Sequence, residues 1–369
     1  MHPLQIKKFT CFGAKALLIG ASFCSLARAE NASKLETVAE SNALVWNGVA
    51  VDGDRIFVSG ARVIQLPGSK APCIALLGAK GQQMPYPDAV WNSFEAGKDA
   101  THAFVNVNAI HNDNRGSLWA VDTGSFDFGG DPLPGGAKAV QIDLKTNRVV
   151  RVYSFGPSVA MPGSYVNDIR FHGDCAYLTD SGRAGLIVLN LKTGEARRVL
   201  DRDPSTTGRR PIVVDGAVLR AADGSPLQVN VDPLEISPDG KRLYFGPAGG
   251  PWSAIETGWL DDASAQPAEI AAHVVPWADL PPTGGTAMDG NENLYFSDLA
   301  DLSLKRRAPD GTITTVLRDA RLHWIDAPAI DERGYIWLPI PQLDRAAVFN
   351  HGQSKVELPV RLYRLKLSE

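Results

Sequence analysis

One short pattern recurs six times along this chain. Each copy is a strand of apolar and aromatic residues that follows a turn rich in Asp, Gly and Asn, with an apolar run before the turn. The copies centre on Arg55-Ile56-Phe57-Val58, Leu118-Trp119-Ala120-Val121, Ala176-Tyr177-Leu178-Thr179, Leu243-Tyr244-Phe245, Leu294-Tyr295-Phe296-Ser297 and Ile336-Trp337-Leu338. Their spacing of 42 to 67 residues is typical of small antiparallel sheets arranged radially around a channel. The chain is therefore predicted to be an all-β, six-bladed β-propeller.

The termini indicate how such a ring would close. The clearest unit, the third, reads as four strands at 166–171, 176–180, 186–189 and 196–200, separated by short turns. At the C-terminus, 360–367 reads as a further strand, and the stretch 35–46 is expected to supply the strand that pairs beside it. This closure would remove exposed sheet edges. Residues 30–369 are thus predicted to form a single propeller domain, closed by its N- and C-terminal strands.

The first 29 residues have the pattern of a secretion signal. Lys7, Lys8 and Lys15 provide a basic region, residues 16–26 are apolar, and Ala27-Arg28-Ala29 is a small-residue cleavage site. Cleavage there would start the mature chain at Glu30 and send it to the periplasm or the extracellular space. An uncleaved anchor is the alternative, although the apolar run is short for a membrane span.

The rest of the chain argues against nucleic-acid binding and membrane insertion. Cleavage would leave 33 basic and 41 acidic residues, with no basic stripe, and no later segment is apolar enough to cross a bilayer. We expect a monomer that acts on a small molecule. The remaining cysteines, Cys73 and Cys175, would form one disulfide or stay as two free thiols.

Two long connections interrupt the repeat, at about 65–102 and 201–230. Connections of this length within a compact fold are usually functional covers.

Asn or Asp occupies five of the six positions that open the innermost strands. The six positions are Asn47, Asn108, Asn167, Asp232, Gly284 and Asp326, with Asn106 as an alternative in the second unit. In a propeller this position faces the axial channel near its loop-rich mouth. Three amides and two carboxylates offer hard oxygen ligands that suit one Ca²⁺. Ordered water or direct ligand contacts would also account for them, since Asn and Asp commonly cap turns.

Catalytic signals are sparse. Glu235 and Asp168 are expected to lie near the ring and are candidate general bases, or else structural acids. The chain contains no His-Glu-x-x-His, Gly-x-Ser-x-Gly, phosphate loop or Cys-x-x-Cys.

Several segments resemble the major royal jelly/Yellow family in its bacterial, L-dopachrome tautomerase-related branch. They include Asp54 to Ser59, Pro85-Tyr86-Pro87-Asp88, Leu118 to Gly124, Ala176 to Ser181, Ser237 to Phe245 and Phe349 to Gly352. The resemblance implies a secreted six-bladed propeller, and it covers members that convert dopachrome, bind amines or serve as nutrients. The fold is shared with gluconolactonases, which hold a divalent cation through Glu, Asn and Asp. In that pattern Asn167 and Asp232 are the closest counterparts, while Pro233 and Asn47 depart from it.

Three functions follow as hypotheses. The first is a Yellow-like propeller that binds or converts a small cyclic or aromatic molecule at the channel mouth, as a dopachrome-tautomerase-like isomerase. The second is a Ca²⁺-dependent lactonase of the gluconolactonase type, and the third is a binding protein without turnover.

Overall fold

Six antiparallel sheets of four strands each form a closed ring in a computed structural model, which describes Met1 and residues 35–367. The innermost strands of successive sheets are neighbours, and the sixth contacts the first. The predicted six-bladed propeller is therefore confirmed. The predicted signal sequence and its cleavage site lie outside the described residues, apart from Met1.

The first three blades follow one another along the chain, each running from the channel outward. Blade one consists of β2 (Gly48–Asp52), β3 (Arg55–Ser59), β4 (Ile74–Leu77) and β5 (Gln83–Pro85). Blade two consists of β6 (Val107–Asn112), β7 (Ser117–Thr123), β8 (Ala137–Asp143) and β9 (Arg148–Ser154). Blade three consists of β10 (Val166–His172), β11 (Cys175–Asp180), β12 (Gly185–Asn190) and β13 (Ala196–Val199). The connection predicted at 65–102 thus contains two strands of blade one and is a loop only in part.

A small hairpin, β14 (Val213–Val214) and β15 (Ala217–Val218), lies in the second long connection before the remaining blades. Blade four consists of β16 (Val231–Ile236), β17 (Arg242–Pro247), β18 (Trp252–Glu256) and β19 (Val275–Ala278), with helices α1 (Thr257–Asp261) and α2 (Pro267–Ala272) between its last two strands. Blade five consists of β20 (Thr286–Met288), β21 (Leu294–Asp298), β22 (Ser303–Arg307) and β23 (Ile313–Arg318). Short 3₁₀ helices occur at Arg62–Ile64, Ala79–Gly81, Ala320–Leu322, Leu343–Arg345 and Ala347–Phe349.

Blade six joins the two ends of the described chain. It consists of β24 (Ala329–Ile330), β25 (Tyr335–Ile340), β26 (Val360–Lys366) and β1 (Glu36–Ser41). The outer strand β1 pairs antiparallel with β26, from Glu36 opposite Arg364 to Ser41 opposite Val360. The predicted closing strands are confirmed. Pairing of β1 with β26 covers one edge of each strand that would otherwise be exposed.

The repeated aromatic residues pack between neighbouring blades. Trp119 of blade two lies in one buried apolar cluster with Val166 and Ile169 of blade three, and Tyr177 lies in another with Leu234 and other residues of blade four. Each side chain is almost fully buried, and such burial contributes roughly 1.5–3 kcal/mol. These contacts between sheets hold the innermost strands around the channel.

The two remaining cysteines are free thiols. Cys73 is buried beside the carbonyl oxygen of Phe104 in the first blade region, whereas Cys175 begins β11 in blade three. The disulfide alternative is therefore wrong, because the two side chains belong to different blades.

Candidate functional site

All six predicted ring positions line one cavity, which we call the upper cavity. They are Asn47, Asn108, Asn167, Asp232, Gly284 and Asp326. Its volume is about 50 Å³, which is room for a few water molecules. Asn106, the alternative in blade two, is instead fully buried and accepts a hydrogen bond from the Arg62 backbone N–H at 2.6 Å. The alignment on Asn108 is the one that the structure supports.

A β-bulge positions the ring residue in three consecutive blades. The strand pairing shifts between Val107 and Ala109 in blade two, between 166 and 169 in blade three, and between 231 and 234 in blade four. Each shift spans the ring residue of its blade. A bulge adds one residue opposite its partner strand and re-aims side chains locally, which is why bulges are common next to functional sites.

The ring amides form a directional chain of hydrogen bonds. Asn47 Nδ2 donates to the backbone carbonyl oxygen of Asn108 at 2.7 Å, Asn108 Nδ2 donates to Asn167 Oδ1 at 2.7 Å, and Asn167 Nδ2 donates to Asp232 Oδ2 at 2.9 Å. The Tyr165 hydroxyl donates to Asn108 Oδ1 at 3.0 Å. The chain therefore ends on a carboxylate and fixes which way each amide faces.

Two ring carboxylates are held without a basic partner. Burial raises the pKa of Asp326 to about 7, and it raises the pKa of Asp232 well above its usual range, with Asp326 and Asp168 adding repulsion there. No Lys or Arg within residues 35–367 forms an ion pair with either group or lowers either pKa. The Ala327 backbone N–H donates to Asp326 at 3.0 Å. Each carboxyl therefore either keeps a proton or carries a negative charge that no basic side chain among the described residues compensates.

The donor atoms of the ring suit a hard cation. The oxygens Asn108 Oδ1 and Asn167 Oδ1 each accept one side-chain hydrogen bond and keep a second lone pair. Together with Asp232 and Asp326 they form the all-oxygen set that Ca²⁺ prefers. Among the residues described, no group of three or more His, Cys, Asp and Glu could hold a metal ion, so a cation here would depend on the amides.

Apolar side chains cover the ring from the loop-rich side of the propeller. Ile212, Leu227 and Val229 come from the second long connection, and Leu343 and Phe349 come from the segment before β26. The connection at 201–230, which was expected to be a functional cover, therefore supplies part of the wall of the upper cavity. Because this cover is apolar and the floor is polar, the upper cavity favours a molecule with an apolar body and one polar end.

A wider groove of about 680 Å³ opens beside the upper cavity. Phe128 and Phe349 line both spaces, and their ring centroids are 6.1 Å apart in an edge-to-face arrangement. Arg62, Arg220 and His351 also line the groove. The two phenylalanines therefore stand at the boundary that an entering molecule would have to cross.

The candidate bases Asp168 and Glu235 lie elsewhere, in a lower cavity farther along the innermost strands. This cavity has a volume of about 240 Å³. Arg170 contacts both acids: its Nε and Nη2 bind Glu235 at 3.0 and 2.8 Å, and its Nη1 binds Asp168 at 2.9 Å. The Thr286 hydroxyl also donates to Glu235 at 2.8 Å. Both carboxylate oxygens of Glu235 therefore accept hydrogen bonds.

Burial raises the pKa of Asp168, and the nearby Arg170 opposes that rise. Asp168 also influences the pKa of both ring carboxylates, so the two cavities are electrostatically linked. The buried triad of Arg170, Asp168 and Glu235 (8%, 16% and 5% side-chain exposure) has the arrangement of a structural charge cluster.

Reasoning from the sequence missed Arg170, and it singled out Trp324 only as one of several aromatic residues outside the repeat. Arg170 follows Asp168 by two residues, and residues two apart on a strand point to the same face of the sheet. This spacing could have indicated that the two side chains are neighbours. Trp324 lines the upper cavity. It stands two residues before the ring position Asp326 and is not part of the repeated pattern, so the repeat could not identify it. Only the closed ring brings it beside Gly284.

The sequence matches the family model described as major royal jelly protein over residues 105–367. The chain belongs to the major royal jelly protein family. The predicted family resemblance is thus confirmed for most of the propeller. No curated protein matches the sequence of this family member.

Several solved structures share the fold of this royal jelly family member. A virginiamycin B lyase from Staphylococcus aureus is 11% identical, with a TM-score of 0.51 and coverage of 91% of this chain and 99% of that chain. A gluconolactonase from Xanthomonas campestris is 14% identical (TM-score 0.52, coverage 90% and 89%). The calcium-binding protein regucalcin from Agrobacterium tumefaciens is 11% identical (TM-score 0.52, coverage 90% and 94%). At these identities the likeness shows the propeller fold alone.

Within residues 35–367, no helix is both long enough and apolar enough to cross a membrane.

Proposed function

We propose that this protein binds a small cyclic or aromatic molecule in the upper cavity and isomerises it by proton transfer, as a tautomerase-like enzyme. The observation that supports this most is the carboxylate pair Asp232 and Asp326, which lies half-buried at the floor of the upper cavity, beneath an apolar cover, without a basic partner among the described residues. A base that titrates near neutral pH is the kind that moves protons efficiently at neutral pH.

The proposed base is Asp326, because its pKa of about 7 leaves it partly ionised at neutral pH. Asn47 and Asn108 each use one side-chain N–H in the hydrogen-bond chain, so a second N–H of each amide can face the reacting oxygen. Such donors would stabilise the negative charge that develops when a proton leaves the adjacent carbon. Asp168 and Glu235, the bases proposed from sequence, are better assigned to the Arg170 cluster.

Entry requires a displacement of the cover, because about 50 Å³ does not hold an aromatic ring. Separation of Phe128 from Phe349 would join the upper cavity to the wider groove. Apolar contacts from Ile212, Leu227 and Val229 would then pack against the body of the bound molecule.

The decisive experiment measures exchange of substrate C–H protons in D₂O for catechols, cyclised quinones and aromatic amines. We expect exchange with the wild type, and its loss in Asp326→Asn, which keeps the shape of the side chain. Glu235→Gln is the matched control in the lower cavity and should retain exchange. If panel members raise the melting temperature but no member exchanges, the protein binds without turnover and the isomerase proposal is wrong.

A Ca²⁺-dependent lactonase is the second candidate, and the hard oxygen set of the ring favours it. Asp232, Asp326, Asn108 and Asn167 would hold the cation, which would polarise a lactone carbonyl. Opening of a δ-lactone panel that stops with EDTA and returns with Ca²⁺ would support this function. Asp232→Asn should then lose both the Ca²⁺-induced rise in melting temperature and lactone opening, whereas Ca²⁺-independent stability of the wild type would count against it.

We also infer that the mature protein is exported, from the signal pattern before Glu30. N-terminal sequencing of the protein from its native host should begin at Glu30. Recovery of the intact chain from the cytosol would contradict this inference.

A further inference from the structure

The fifth ring position has no side chain of its own. Gly284 occupies it, between Asp232 of blade four and Asp326 of blade six. A Cβ atom at Gly284 would lie 2.5 Å from the Ile325 carbonyl oxygen and 2.9 Å from Trp324 Nε1. The indole nitrogen of Trp324 therefore packs against the position where a sixth polar ring side chain would stand, and glycine is the residue that leaves room for it.

The indole N–H of Trp324 has no hydrogen-bond acceptor within the part of the chain that the structure describes. The residue is 6% exposed, and it lines the upper cavity. Buried donors in native proteins are almost always paired, so an unpaired one on a residue that lines a cavity needs an explanation. A bound molecule that supplies the acceptor would explain it.

The backbone holds Trp324 in an unusual conformation. Its φ angle is +62°, and of the described non-glycine residues with positive φ, only Trp324 lines the upper cavity. Two contacts hold the segment that precedes Trp324. The Asp319 side chain caps a short 3₁₀ helix, and His323 Nε2 lies 2.9 Å from Asp344. Bulky residues in this region of backbone space cost energy, and they persist mainly where the surroundings impose them, often at functional sites.

We propose that the indole N–H of Trp324 is the sixth polar group of the ring and donates a hydrogen bond to a ligand oxygen bound between Asp232 and Asp326. This inference rests on the proposed function, because it concerns the same upper cavity. A hydroxyl oxygen fits the position in particular: it accepts from Trp324 and donates its own hydrogen to a neighbouring carboxylate. The ligand class is thereby narrowed to phenols, catechols and enols, whose oxygen both accepts and donates.

The test uses catechol as the probe and Trp324→Phe as the variant, because phenylalanine removes the N–H and keeps an aromatic ring. The matched control is Trp252→Phe. Trp252 Nε1 is also buried without an acceptor among the described residues, but Trp252 packs near Trp277, away from the upper cavity. Calorimetric titration should give catechol binding about three- to tenfold weaker in Trp324→Phe, the loss expected for one hydrogen bond, and unchanged in Trp252→Phe.

A second measurement uses the wild-type protein, so it does not depend on whether a variant folds. Among the indole ¹H–¹⁵N signals of the eight tryptophans, that of Trp324 should move downfield when wild-type protein is titrated with catechol, as its proton gains an acceptor. If catechol binds but this signal stays fixed, or if Trp324→Phe binds equally well, the inference is overturned while the proposed ligand site survives. If neither catechol nor any panel member binds the wild type, the proposed function fails and this inference fails with it.

Discussion

Replacement of Asp326 by Asn should make the protein more stable at pH 8 and leave its stability at pH 4 nearly unchanged. The folded protein raises the pKa of this carboxyl from 3.8 to about 7 through burial. The amide in Asp326→Asn has the same shape and can still accept the hydrogen bond from the Ala327 N–H. The substitution therefore removes the ionisation while it keeps the local contact.

The size and sign follow from proton linkage. Below pH 3.8 the carboxyl is protonated in both states and costs nothing. As the pH rises toward 7, the unfolded chain releases this proton while the folded protein retains it, so the free energy of unfolding falls. Above pH 7 the penalty is constant, and a shift of about three pKa units corresponds to at most about 4 kcal/mol. Asp326→Asn should recover that amount at pH 8.

Urea unfolding of the wild type and the variant from pH 4 to pH 8, with EDTA present to exclude divalent cations, measures this difference. Asp310→Asn is a suitable control, because hydrogen bonds from Thr312 lower the pKa of that exposed carboxyl and its removal should give no gain at high pH. A difference between Asp326→Asn and the wild type that is equal at pH 4 and pH 8 would refute the assignment of Asp326 as a buried acid near neutrality.

Two further predictions concern the frame around the site. Arg170→Met removes the counter-ion of Glu235 and Asp168, so it should lower the free energy of unfolding by roughly 3–5 kcal/mol. Urea unfolding measures this loss, and a loss below about 1 kcal/mol would contradict the prediction. Deletion of residues 30–41 removes β1 and exposes the edge of β26, so gel filtration should show aggregation, and an unchanged elution volume and melting temperature would show that β1 does not close the ring.

The ring positions were accessible from sequence because they repeat with the blades. Asn or Asp at the start of five of the six innermost strands follows directly from aligning the turns, and the structure brings all six positions to one cavity. The choice of Asn108 over Asn106 was left open by the sequence, since the two differ by one period of a strand. The β-bulge between Val107 and Ala109 resolves that choice, and bulges leave little trace in a sequence.

The lower cavity shows where sequence proximity misleads. Asp168 is adjacent to Asn167 in the chain, yet consecutive side chains on a strand diverge, and Asp168 lines a different cavity with Arg170. Glu235 joins the same cluster from blade four. Their pairing with one arginine depends on how far apart blades three and four stand, which no local pattern encodes.

The sequence alone determined the number of blades, the closing strands and the polar character of the channel, because each depends on short periodic patterns that act locally. The tertiary structure decided which groups lack a partner. Asp232 and Asp326 share a cavity that no Lys, Arg or His of the described residues lines, and the indole of Trp324 fills the space that Gly284 leaves open. Burial and unmet hydrogen bonds are properties of the closed ring, since they arise only when segments far apart in the chain exclude water from the same volume.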